Sequence, residues 1–133
     1  MGMDVYGRKP KNKQGEYFRT NIWGWRPIHV YMCEKCRFLS EHMLLHMGYN
    51  DGAGPRSQKV CDRIADKFQE FLDSDLDGMT VDLPMRVDAN GCIIAKDIVE
   101  ADPTTGYSPY HVDRDDIAEW IEFLRNCGGF AVW

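Results

Sequence analysis

No apolar run in this 133-residue chain approaches the roughly 20 residues needed to cross a bilayer, so a membrane-spanning helix is excluded. The first residues lack the charged-then-apolar pattern of a secretory leader, and a cytoplasmic location is therefore expected. Repeats and low-complexity tracts are missing as well. With 44% hydrophobic and 28% charged residues, the composition sets aside disordered and fibrous classes. The five cysteines (Cys33, Cys36, Cys61, Cys92, Cys127) are odd in number and without framework spacing. Reduced thiols are expected, some of them serving as small core residues. What remains is the composition of a single globular domain, residues 1–133, long enough to bury a core without metals or disulfides.

A surplus of positive charge is also absent: the net charge is −5. The distribution is uneven, however. Residues 1–37 hold eight Lys/Arg against three acids, while the other 96 residues hold eight against eighteen. The acidic part cannot track a phosphate backbone, so duplex nucleic acid is not an expected partner. The basic part can steer a small anion toward one side of the fold, although Arg8-Lys9-Pro10-Lys11-Asn12-Lys13-Gln14-Gly15 also has the composition of an exposed turn.

Hydrophobic periodicity predicts strands at Met3–Tyr6, Glu16–Arg19 and Phe130–Trp133, the last pairing with the first. Pro27 suits a helix first turn, which predicts a helix from there to about Met47. Its apolar residues point nearly all round the axis, so it is either centrally buried or two helices broken near Phe38–Ser40. Two clearer helices follow. Ser57 caps one, with Val60, Cys61, Ile64, Ala65, Phe68 and Phe71 on a single stripe. Asp113 caps the other, with Ile117, Trp120, Ile121 and Leu124 at i, i+3, i+4, i+7, and Gly128-Gly129 ends it. Asn90-Gly91 between Met85–Asp88 and Cys92–Ala95 predicts a hairpin, and Asp102–Tyr110 reads as a loop. The expected fold is α+β, a small mostly antiparallel sheet with about three helices packed on one face.

Four constellations carry candidate chemistry. Cys33-x2-Cys36-x5-His42-x3-His46 has zinc-like ligand types, but on a continuous helix the histidines fall roughly opposite the cysteines, so no metal is expected. Asp73-Ser74-Asp75-Leu76-Asp77-Gly78 opens like a calcium loop, yet Pro84 stands where the closing Glu belongs and Asp82 is a poor substitute. Asn50-Asp51-Gly52-Ala53-Gly54-Pro55-Arg56-Ser57 is a glycine-rich loop entering a helix N-terminus, where free N–H groups, Ser57 and Arg56 can receive a phosphate or carboxylate. Finally, Trp23, Trp25, Tyr17 and Phe18 form an aromatic group with Arg26 alongside; Trp23-Gly24-Trp25 places both indoles on one side if extended, able to stack a base with Arg26 on its phosphate. No catalytic residue is nominated. An acid–base pair from His29, His42, His46 or His111 with Asp51, Asp113 or Asp116 needs convergence in space.

The opening Met1-Gly2-Met3-Asp4-Val5-Tyr6-Gly7, the run Gly15–Arg19 through Trp23-Gly24-Trp25-Arg26-Pro27, Asn50-Asp51-Gly52-x-Gly54, and the closing Phe123–Trp133 together resemble an uncharacterised family of small bacterial and phage proteins. Pro55 departs from the aliphatic residue that pattern has after the second glycine. The resemblance implies a stand-alone accessory protein of phage or prophage type and no particular chemistry.

The reading that follows is a non-enzymatic binding protein, without cofactor, for a small anionic, nucleotide-like ligand. Its site would comprise Trp23, Trp25, Arg26, Asn50, Asp51, Gly52, Gly54, Arg56 and Ser57. One alternative is a module inhibiting a host protein complex through an acidic face, Asp62–Asp82 with Asp113–Glu122. Another is a small hydrolase, which requires a His and a carboxylate meeting at the glycine loop. Monomer and homodimer are both compatible, the latter by strand addition at Phe130–Trp133.

Overall fold

The computed structural model describes residues 2–49, 51–74, 76, 78–81, 98–100 and 111–133. The elements run β1 (Gly2–Gly7), a 3-10 turn (Lys13–Gly15), β2 (Tyr17–Asn21), α1 (Ile22–Lys35), α2 (Glu41–His46), α3 (Gln58–Leu72), β3 (Gly78–Val81), β4 (Ile98–Glu100), β5 (His111–Asp113), α4 (Arg114–Asn126) and β6 (Phe130–Val132). The fold is α+β with antiparallel pairing, as the periodicity predicts. The described residues form two three-stranded sheets, in the orders β2-β1-β6 and β4-β3-β5. The chain ends are partners, with Val5 opposite both Phe18 and Val132. Among the described residues no helix is long and apolar enough to cross a membrane. The predicted hairpin around Asn90-Gly91 and the loop Asp102–Tyr110 lie outside the described residues.

Two strands pass into helices without a connecting loop, each through a capping side chain. Asn21 closes β2 and accepts the backbone N–H of Gly24 at 2.9 Å; Asp113 closes β5 and accepts that of Asp116 at 2.9 Å. Both satisfy donors that a helix start leaves unpaired. Helix α1 therefore begins at Ile22, five residues before the predicted start, and Pro27 sits inside it. The missing proline N–H forfeits one hydrogen bond near the helix start. Burial of Trp25, Ile28, His29, Val30, Met32 and Cys33 all round the helix outweighs that loss. The two alternatives for this segment both hold: α1 is central and the chain breaks after it. Ser40 then starts α2 by accepting the N–H of Met43. Among the described residues the helices number four, where about three were expected.

The core converges on Trp120 of α4. Its ring stacks on Phe123 at 5.5 Å and meets Phe18 of β2, Trp25 of α1, Phe68 of α3 and Phe130 of β6 at centroid separations of 5.0 to 6.2 Å. One side chain thus joins five elements. Along the α3–α4 seam the buried sulfurs of Cys61 and Cys127 lie 3.6 Å apart.

Gly78, read as the sixth residue of a calcium loop, instead begins β3 and pairs with Asp113. Asp73 ends α3 and accepts from Gln69, while Asp75 and Asp77 lie outside the described residues. The free-edge expectation for Phe130–Trp133 is corrected as well. β6 is flanked by β1 on one side and by Ala53, bridged to Val132, on the other.

Candidate functional site

The stretch after α2 runs antiparallel to β6. The Gly52 N–H donates to the Val132 carbonyl at 2.7 Å, Val132 donates to Ala53 at 2.9 Å, and Phe130 donates to Pro55 at 2.9 Å. Behind this ladder Arg8 spreads its guanidinium over four carbonyls: Nε donates to Phe130 (3.0 Å) and Pro55 (3.3 Å), and Nη2 to Gly52 and Gly54 (3.3 Å each). The loop therefore presents oxygens to a cation there, the reverse of a phosphate cradle. Its glycines serve close packing. A Cβ on Gly54 would stand 2.2 Å from the Phe130 oxygen, and one on Gly52 would stand 2.6 Å from the Trp133 ring; both residues have positive φ. Ser57 spends its hydroxyl on the Val60 N–H as the cap of α3.

The tryptophan pair separates. Because Trp23 and Trp25 fall on a helix rather than an extended segment, the two indoles point to different faces. Trp25 is fully buried and its Nε1–H donates to the Met47 carbonyl at 2.9 Å, so it cannot stack a ligand. Trp23 is exposed and Arg26 half-buried at the start of α1. Arg56 is exposed, while Asn50 lies outside the described residues.

A different group assembles at the head of the loop. His46 Nδ1 lies 2.6 Å from Asp51 Oδ2, with 32% and 43% of the two side chains exposed. The His42 ring lies 4.1 Å from that of His46 at 35°, and the Tyr49 ring meets His46 edge-on at 5.6 Å. Trp133, half exposed, lies over Gly52 next to Asp51. The bond from His46, followed by its charge and by backbone N–H groups of Ala53 and of Asp51 itself, holds the Asp51 carboxyl below its ordinary value despite some desolvation. The histidine and the carboxylate required by the hydrolase reading thus do meet at this loop. The spacing His42-x3-His46 was visible in the sequence; the arrival of Trp133 from the far end of the chain was not.

The other histidines and the paired cysteines go elsewhere. His29 is buried, with Nε2 2.5 Å from the Leu44 carbonyl and 3.6 Å from the Cys33 sulfur. Burial lowers its pKa from 6.5 to about 4, and the Arg26 charge adds to that against the opposing Leu44 bond. Burial also pushes the Cys36 thiol up to about 12. His111 is exposed on β5. Among the described residues no group of three or more His, Cys, Asp or Glu gathers as a metal cage.

On the α3 surface a groove of about 400 Å³ is lined by Phe38, Arg63, Asp66, Lys67 and Glu70, with the Arg63 guanidinium 4.0 Å over the Phe38 ring. The acidic face nominated there is partly neutralised. Arg125 reaches Asp66 at 2.8 Å and Asp62 at 3.9 Å.

Near the opposite end of the loop, the N-terminal basic turn closes on the C-terminal glycines. Arg8 N–H donates to Gly129, Lys9 N–H donates to Cys127, and the Arg56 backbone lies against Gly129. Arg8, Lys9 and Arg56 thereby cluster around Gly128-Gly129. No family model, no curated protein and no solved structure matches the chain.

Proposed function

We propose that the protein acts by binding a small anionic, nucleotide-like ligand along the seam between the 51–56 stretch and β6, as an accessory protein of phage or prophage type working in the cytoplasm. The observation that carries this reading is the His46–Asp51 pair beside the half-exposed indole of Trp133, at one end of a strand-like ladder that has Arg56 and Lys9 near its other end. Four residue-to-residue steps of extended chain lead from Gly52 to Arg56, a span of about 13 Å. Trp133 and Tyr49 offer faces for an aromatic ring, replacing the buried Trp25 in that role. His46 Nε2 and the Asp51 carboxylate offer acceptors for hydroxyl or base-edge N–H contacts, and Arg56 with Lys9 supplies charge for phosphate.

The test is calorimetric titration of the full chain with nucleoside mono- and triphosphates. Trp133→Ala and Arg56→Ala should each weaken binding by about ten-fold or more, with the melting temperature of Arg56→Ala unchanged. Absence of binding to every nucleotide, or variants that bind like the parent, would sink the assignment.

The His46–Asp51 bond favours one second reading, in which the carboxylate orients His46 as a general base for hydrolysis. Product formation from a bound nucleotide, lost in His46→Ala, would decide for it; binding without turnover would decide against it.

A further inference from the structure

We propose that His42 and His46 form a binding site for a divalent transition-metal ion of the zinc, nickel or copper class. The two residues stand one helical turn apart on α2, so their side chains lie on the same face. Their rings are 4.1 Å apart between centroids and inclined by only 35°, and His42 is exposed.

The tautomer of one ligand is set by its neighbour. His46 Nδ1–H donates to Asp51 at 2.6 Å, which leaves the Nε2 lone pair unprotonated, on a side chain that is 32% exposed. A carboxylate on the second ring nitrogen is the usual support of a metal-bound histidine, because it orients the ring and raises its basicity. Asp51 is itself held. The next residue, Gly52, donates its N–H to the Val132 carbonyl of β6 at 2.7 Å, and Ala53 is bridged to Val132. The support of the imidazole is thus anchored to the sheet rather than to the loop alone. Tyr49, edge-on at 5.6 Å, also contacts the His46 ring.

Imidazole nitrogen selects zinc, nickel and copper over magnesium and calcium. No third protein donor joins the pair among the described residues, so the remaining coordination positions belong to water or an added anion. Cys33 and Cys36, which share the sequence motif, take no part. Both are buried, and Cys33 contacts His29. The site shares His46 with the proposed ligand surface but does not depend on it, since the probe is the metal alone.

The test titrates the full chain with Zn²⁺ in the absence of any nucleotide and repeats the titration with Co²⁺ for its absorption spectrum. One equivalent should bind, with nitrogen- and oxygen-type bands and no thiolate charge transfer. His42→Ala should abolish binding, and Asp51→Ala should weaken it by about ten- to a hundred-fold. In the unaltered protein, Zn²⁺ should shift the imidazole ¹⁵N resonances of His42 and His46 and leave those of His29 and His111 in place, a readout that needs no variant. Failure to bind Zn²⁺, a thiolate band, parental affinity in His42→Ala, or shifts confined to other histidines would each overturn the site. Loss of nucleotide binding with Zn²⁺ binding intact would refute only the ligand reading.

Discussion

His29 makes the stability of this fold sensitive to mild acid. Its ring is almost wholly buried, and Nε2 lies 2.5 Å from the Leu44 carbonyl, which assigns that nitrogen the proton. Nδ1 has no hydrogen-bond partner among the described residues and lies against Gly48. Protonating it would put a charge in the core, and the pKa falls from 6.5 to about 4. The unfolded chain therefore takes up the proton first as the pH drops. The stabilisation is fully present above the unfolded value of about 6.5 and is lost progressively as the pH falls toward about 4. At about 1.4 kcal/mol for each pH step, the whole window amounts to roughly 3 kcal/mol, of which about 2 kcal/mol falls between pH 7 and pH 5. Urea unfolding of the parent and of His29→Gln at pH 7, 6 and 5 isolates the term, because glutamine keeps an N–H donor for Leu44 and does not titrate. The parent should lose about 2 kcal/mol more than the variant over that range. Parallel losses, or a His29 ring resonance that titrates near pH 6.5 in the folded protein, would refute the reasoning.

Two further outcomes follow from the packing. Arg8→Met should cost about 2 kcal/mol, since it strips four carbonyls of one shared cation, and the amide protons of Gly52 and Phe130 should exchange faster; unchanged exchange would remove Arg8 as the clamp of this loop. Trp120→Ala should cost about 4 kcal/mol, whereas Trp120→Phe should cost no more than about 2 kcal/mol. Phenylalanine can retain ring contacts with Phe123 and Phe18 and removes an indole N–H that is buried without a hydrogen-bond partner among the described residues. Equal losses in urea unfolding would show that shape at this position does not govern the core.

Much of the chain was legible because its signals are local. Ser57 and Asp113 stand immediately before apolar stripes of period 3.6, and both cap the helices expected of them. The start of α1 was misplaced because Pro27 is a strong helix-start signal and Asn21 a quieter one. The deciding quantity, burial on every side of α1, belongs to the assembled core. The candidate site was legible only in part. Asp51 and its glycines drew attention for their composition, yet Gly52 and Gly54 turn out to be small for the sake of Trp133 and Phe130.

By itself, the sequence determined the fold class, the capped helices α3 and α4, and the terminal strand, because each is written in the spacing of neighbouring residues. Tertiary structure alone decided which tryptophan is buried, that Arg8 grips carbonyls rather than an anion, and that His46, Asp51 and Trp133 share one surface. Those outcomes depend on residues far apart in the chain; Arg8 and Phe130 are separated by 122 positions. No local period encodes such contacts, which appear only when β6 closes against β1 and brings the two chain ends together.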